Sequence, residues 1–104
     1  MKKRLRKKKH IGEFQELGFE VDGDLRPGME RDDVGAFTDR FLAHIEARKL
    51  AFGGGIGGGD FGGFVARFGR GTATNDDRAS VAAFLASDPD VTRHVVGELR
   101  DAWY

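Results

Sequence analysis

Cysteine is absent from this 104-residue chain, which excludes disulfides and thiolate zinc sites and makes a reducing cytosol the expected compartment. Histidine occurs three times, at His10, His44 and His94, too far apart for metal-ligand spacing. His44 does open the triplet His44-Ile45-Glu46, the H-x-E of zinc deaminases, but without a P-C-x-x-C two of the three ligands are missing. Serine stands only at Ser80 and Ser87, neither in a nucleophile-elbow setting. Long apolar runs are missing as well. The basic start looks like the n-region of a signal peptide, yet "IGEFQELGFEV" is interrupted by Glu and Gly, and no segment approaches the ~20 apolar residues of a membrane span. A soluble protein that stays where it is made is expected. No metal, no cofactor and no catalytic residue is nominated by spacing.

Acidic residues are also missing before Glu13, while the chain opens "MKKRLRKKKH". Lys2, Lys3, Arg4, Arg6, Lys7, Lys8 and Lys9 supply seven of the seventeen basic residues. From residue 11 onward ten basic residues face seventeen acidic ones, so a body of −7 cancels a leader of +7. The net charge of zero hides a dipolar chain. A like-charge block this dense repels itself and buries no apolar surface. Residues 1–12 are therefore expected to be a disordered basic arm, and residues 13–104 one folded domain. The partner such an arm fits is a polyanion, because cations that neutralise phosphates release condensed counterions. His10 extends the cluster with a donor or a ring that can stack on a base.

The period of the apolar residues changes along the body. "ELGFEVDGDL" alternates, with Leu17, Phe19 and Val21 on one side and Glu16, Glu20 and Asp22 on the other, which predicts a strand with one buried face. After Pro27-Gly28, Val34, Phe37, Phe41 and Ile45 with Leu42 form a helical stripe, and Glu30, Asp32 and Asp33 sit where the helix dipole favours anions. "LAFGG" and "GFVARFG" read as two short strands around a glycine tract. "TNDDRASVAAFLASDP" reads as a second helix, with Thr74 and Asp77 as a capping-box variant, Val81, Phe84 and Leu85 as its apolar face and Pro89 as its stop. "VTRHVVGELRDAWY" reads as a final strand in which Leu99 and Trp103 share the core face, with Tyr104 unassigned. The order β-α-β-β-α-β predicts an α+β, ferredoxin-like fold: two helices on one face of a four-stranded antiparallel sheet, the other face open.

Three motif readings fail on their own chemistry. Eight of the eleven residues from Gly53 to Gly63 are glycine, and G-x-G-x-x-G is satisfied trivially, but a strand rather than a helix N-terminus follows. The tract is expected to be a flexible hairpin tip. The β-α-β-β-α-β order is shared with the RNA recognition motif, and Gly63-Phe64-Val65-Ala66 begins its third-strand pattern, but Arg67 stands where the last aromatic belongs. Phe64 and Phe68 are accordingly assigned to the core. Asp22 and Asp24 hint at a calcium loop, but Arg26 and Pro27 occupy the next ligand and glycine positions. The adjacent pairs Asp32-Asp33 and Asp76-Asp77 diverge by about 100° on a helix, so neither can share a proton as a dyad does.

The strings "RLRKKKHIGEFQELGFEV", "LAFGGG", "GFV" followed by "TNDDRASVAAFL", and "VGELRDAWY" resemble the YggL family, described as 50S ribosome-binding proteins. The resemblance runs through nearly the whole chain. It implies association with the large ribosomal subunit in the bacterial cytoplasm, with no enzymatic activity attached and no catalytic residue to carry over. Joined to the charge pattern, it gives the expectation of a monomer that meets ribosomal RNA through Lys2, Lys3, Arg4, Arg6, Lys7, Lys8, Lys9 and His10. No membrane and no small-molecule substrate are expected as partners. The alternatives are a stand-alone RNA-binding module, or an adaptor whose acidic surface binds a basic ribosomal protein.

Overall fold

The computed structural model describes residues 16–69 and 71–101. The elements are β1 (Leu17–Leu25), α1 (Arg31–Ala47), β2 (Leu50–Ile56), β3 (Asp60–Arg67), α2 (Asn75–Ser87), β4 (Val91–Val96) and β5 (Arg100–Asp101). All strand pairs are antiparallel, in the order β2-β3-β1-β4, and β5 continues along the edge of β1 that β4 occupies. This is the α+β, ferredoxin-like arrangement that the periodicity predicts.

Each helix starts and stops on local chemistry. At the start of α1 the Glu30 N–H donates to the Asp33 carboxylate at 3.0 Å, satisfying a group that helix geometry leaves without a partner. α1 ends at Ala47, and Lys49, just past the Arg48 cap, takes a φ of 62°, the left-handed position that usually carries glycine. At the start of α2, Thr74 Oγ1 accepts from the Asp77 N–H at 3.1 Å and the Thr74 N–H donates to Asp77 at 2.9 Å, the predicted capping box.

The core lies between the helices and one sheet face. Phe37, Phe41 and Ile45 of α1 and Val81 and Leu85 of α2 are buried against Phe19, Val21 and Leu25 of β1, Leu50 of β2, and Phe61 and Val65 of β3. Phe41 is the meeting point. Its ring centroid lies 5.8 Å from Phe37, 5.1 Å from Phe52, 6.1 Å from Phe61 and 6.1 Å from Phe84, so one side chain joins both helices to the sheet.

Three phenylalanines and three glycines of the sheet explain one another. A Cβ on Gly23 would come 2.6 Å from the Phe61 ring, one on Gly18 would come 2.5 Å from the Phe64 ring, and one on Gly63 would come 2.8 Å from the Phe52 ring. Each ring lies down on the neighbouring strand where only glycine leaves room. The pairing of large rings with bare backbone covers glycine positions that would otherwise weaken a strand.

The structure corrects three expectations. The glycine tract is not a long flexible tip: Gly53, Gly54 and Gly55 belong to β2, Gly62 and Gly63 to β3, and the strands are joined by Gly57–Gly59 alone. That turn is tied down, since the Gly57 N–H donates to Asp60 at 3.0 Å and the Leu25 N–H to Gly59 at 2.9 Å. Ladder pairing outweighs the low strand propensity of glycine here. Phe64 is not in the core, because the register sets Val65 opposite Phe19 and Phe61 opposite Gly23, which turns Phe64 to the open face. Phe68 is 73% exposed, just beyond the end of β3.

The last predicted strand is broken as well. Val96 pairs with Val21, but Arg100 pairs with Gly18, so the register slips by one residue across Gly97–Leu99. A one-residue slip exchanges faces. Leu99 is thereby brought to pack against the core, as expected, and Arg100 is sent to the open face. Trp103 and Tyr104 lie outside the described residues.

Candidate functional site

Lys2, Lys3, Arg4, Arg6, Lys7, Lys8, Lys9 and His10, together with the boundary of the arm at residue 12, lie outside the described residues. What the structure does place is the body.

Among the described residues, several of the chemistry-bearing side chains hold elements together. Asp77 is buried beneath Arg48, whose Nε donates to it at 3.0 Å, joining the end of α1 to the start of α2; Asp76 is exposed beside it. His44 Nε2 lies 3.0 Å from Ser80 Oγ, with the imidazole stacked on Phe84 at 4.9 Å. The pair has the atoms of a base and a nucleophile. Ser80 sits in mid-helix and His44 in the last turn of α1, however, where the backbone N–H groups are consumed by helical hydrogen bonds and none is left for an oxyanion hole. The contact fastens α1 to α2. No group of three or more His, Cys, Asp or Glu among the described residues could hold a metal ion. Asp22 and Asp24 are both taken by Arg93, at 3.0 and 2.9 Å, instead of converging on a cation.

A second ionic cluster locks α1 to the turn after α2. Arg40 donates from Nε and Nη2 to the two oxygens of buried Asp88, both at 3.0 Å, and from Nη2 to Asp90 at 2.9 Å; Arg26 Nε reaches the other Asp90 oxygen at 2.7 Å. Hydrogen bonds from Arg26 and Arg40 hold the Asp90 carboxyl below the ordinary aspartate range, as the hydrogen bond from Arg93 does for Asp24, with partial desolvation opposing both. A carboxylate whose pKa is depressed by folding stabilises the fold above its unfolded value, about 3.9 for aspartate, and loses that contribution as pH falls through the folded value. The melting temperature is therefore expected to stay nearly level from neutral pH to about 5 and to fall below about 4. Thermal melts across that range check it; a melting temperature that rises on acidification would contradict it.

Two of the concavities among the described residues lie on the sheet's open face and along its β2 edge. On the open face, Phe64 on the third strand stands between Glu20 of β1 and Gly53 of β2, bordered by Gly62 and Ala66 on its own strand. The Arg100 guanidinium lies 5.5 Å from the Phe64 ring centroid and 3.2 Å from Glu20 Oε2. A depression of about 380 Å³ lies among Glu20, Asp22, Gly53, Phe64 and Arg100. The other concavity, about 470 Å³, runs beside the outer edge of β2 and is lined by Leu42, Ile45, Leu50, Phe52 and exposed Phe68.

The open-face group is the part that sequence reasoning missed. Glu20 and Asp22 are on the predicted face, but Arg100 arrives there only through the slip at Gly97–Leu99, and Phe64 only through the β1–β3 register. No local pattern signals either. With the fold and these surfaces in place, comparison with known families shows that the family model for YggL 50S ribosome-binding protein matches residues 3–104, and the chain belongs to that family.

Proposed function

We propose that this member of the family is a non-enzymatic protein that associates with the 50S ribosomal subunit in the cytoplasm as a monomer. In this reading Lys2, Lys3, Arg4, Arg6, Lys7, Lys8, Lys9 and His10 lie against ribosomal RNA, and residues 13–104 act as one body that selects the position on the subunit. The observation that carries the reading is the separation of charge: +7 within the first nine residues against −7 in residues 11–104, in a chain whose family is described by its binding to a phosphate-rich particle. The cationic block supplies affinity without base readout. The acidic body repels RNA at large, so contact is favourable only where the block can reach phosphate and the body is accommodated.

Co-sedimentation with separated 50S and 30S subunits tests this reading. A preference for 50S is expected, whereas a general RNA binder would distribute over both. Salt dependence gives the second measure. Seven phosphate contacts would give a slope of log K against log salt of about −5 to −6, but screening also relieves repulsion between the acidic body and RNA as salt rises. The expected slope is about −3 to −5. A slope near zero on purified 50S subunits would show that binding does not proceed through phosphate contacts.

A further inference from the structure

The geometry points to an arginine receptor on the open sheet face: Phe64 and Glu20 accept the guanidinium of a partner protein's arginine, a place that the chain's own Arg100 fills in the free protein. Three observations lead there. The first is shape. Phe64 is the only side chain larger than alanine, apart from carboxylates, on the open face of β1, β2 and β3 among the described residues; its neighbours there are Gly18, Ala51, Gly53, Gly55, Gly62 and Ala66. A planar group can lie on the ring without obstruction from the surrounding strands.

The second observation is charge. The open face presents the carboxylates of Glu20, Asp22, Asp24 and Asp60 against two guanidinium groups, Arg93 and Arg100. Arg93 pairs with Asp22 and Asp24 and Arg100 with Glu20, and with four carboxylates against two guanidinium groups the face stays net negative. The face therefore complements a cation and not a polyanion. The third observation is the contact already made: the Arg100 guanidinium lies over the Phe64 ring, 5.5 Å from its centroid, with Nη2 3.2 Å from Glu20 Oε2, the joint aromatic and carboxylate recognition that suits guanidinium better than ammonium.

Exchange is easy because Arg100 is weakly held. Its side chain is 59% exposed and that of Glu20 is 63% exposed, and exposed ion pairs contribute little. A partner arginine can take its place, or lie beside it, in the depression between Phe64 and Gly53.

The test is independent of the ribosome and of the cationic block's role, so its failure and that of the proposed function are distinguishable. The full-length chain is titrated at 0.15 M salt (about the physiological ionic strength) with the peptide acetyl-Gly-Arg-Gly-Arg-Gly-amide, and with its lysine and citrulline counterparts, following the amide resonances of Gly18, Gly53 and Gly62. The arginine peptide should shift these amides, the lysine peptide should bind more weakly, and the neutral citrulline peptide should have no effect. Phe64→Ala should weaken arginine-peptide binding about 3- to 10-fold while lowering the melting temperature much less than a truncation in the core does; Phe64→Leu, which keeps bulk but removes the π face, serves if the alanine variant fails to fold. Arg100→Ala supplies the decisive sign. Removing the internal competitor should tighten the arginine peptide several-fold, whereas an RNA platform would lose a cation and weaken. Equal binding of the citrulline peptide overturns the proposal. So does unchanged or weaker arginine-peptide binding by Arg100→Ala, or a single-stranded oligouridine that shifts the same amides and binds less well to both variants.

Discussion

A chain lacking Lys2–Lys9 should bind the 50S subunit roughly 10³-fold more weakly than the intact protein at about 0.1 M salt. The magnitude follows from the slope argued above. A slope of about −3 to −5 means that, relative to 1 M salt, counterion release contributes some three to five powers of ten at 0.1 M. Deletion removes that gain and leaves a body of −7 facing an anionic surface. The fold should be indifferent to the loss, because every buried apolar residue described lies between Phe19 and Leu85. Sedimentation with 50S subunits and circular dichroism on the same shortened protein measure the two halves. Undiminished co-sedimentation would place the binding determinant in the body.

Replacing Phe41 with alanine should cost about 3–5 kcal/mol, a large part of the 5–15 kcal/mol typical of a whole domain. Phe41 is fully buried and its ring contacts Phe37, Phe52, Phe61 and Phe84, so truncation opens a cavity where α1, α2, β2 and β3 meet. The surrounding rings are each held by other contacts and can collapse only partly into the space. At about 4–8 °C per kcal/mol for a chain of this size, the melting temperature should fall by more than 10 °C. Phe64→Ala is the natural control. It removes the same atoms, but from the open face of the sheet instead of from the helix face that packs into the core. Denaturant melts of the two variants side by side would reverse the assignment of faces if Phe64 proved the costlier loss.

That comparison marks the boundary of what could be read without coordinates. The starts and stops of both helices are local: Thr74 with Asp77, the acids of the first turns and Pro89 after Ser87 act within a few residues, and the structure has the helices where those signals fall. The alternation of Phe19 and Val21 against Glu20 and Asp22 likewise identifies the faces of β1, because the two sides differ sharply in polarity. β3 offers no such contrast. "DFGGFVAR" carries one phenylalanine in each phase, at Phe61 and Phe64, and local chemistry is indifferent to which is buried. The choice belongs to the partner strand, whose register sets Phe61 on Gly23 and Phe64 beside Glu20.

The sequence by itself determined the element order, the Thr74–Asp77 cap, the two apolar helix stripes and the separation of charge between the first residues and the rest, since each depends on composition or on neighbours a few positions apart. Only the tertiary structure decided that the glycines pair in a ladder, that three of them lie under phenylalanine rings, that Arg40 meets Asp88 across 48 residues, and that Arg100 joins Phe64 and Glu20. These are contacts between distant segments, and a one-residue change of register is enough to exchange them. Period-two alternation has two phases that local interactions barely distinguish, and the packing of the whole sheet against its helices is what selects between them.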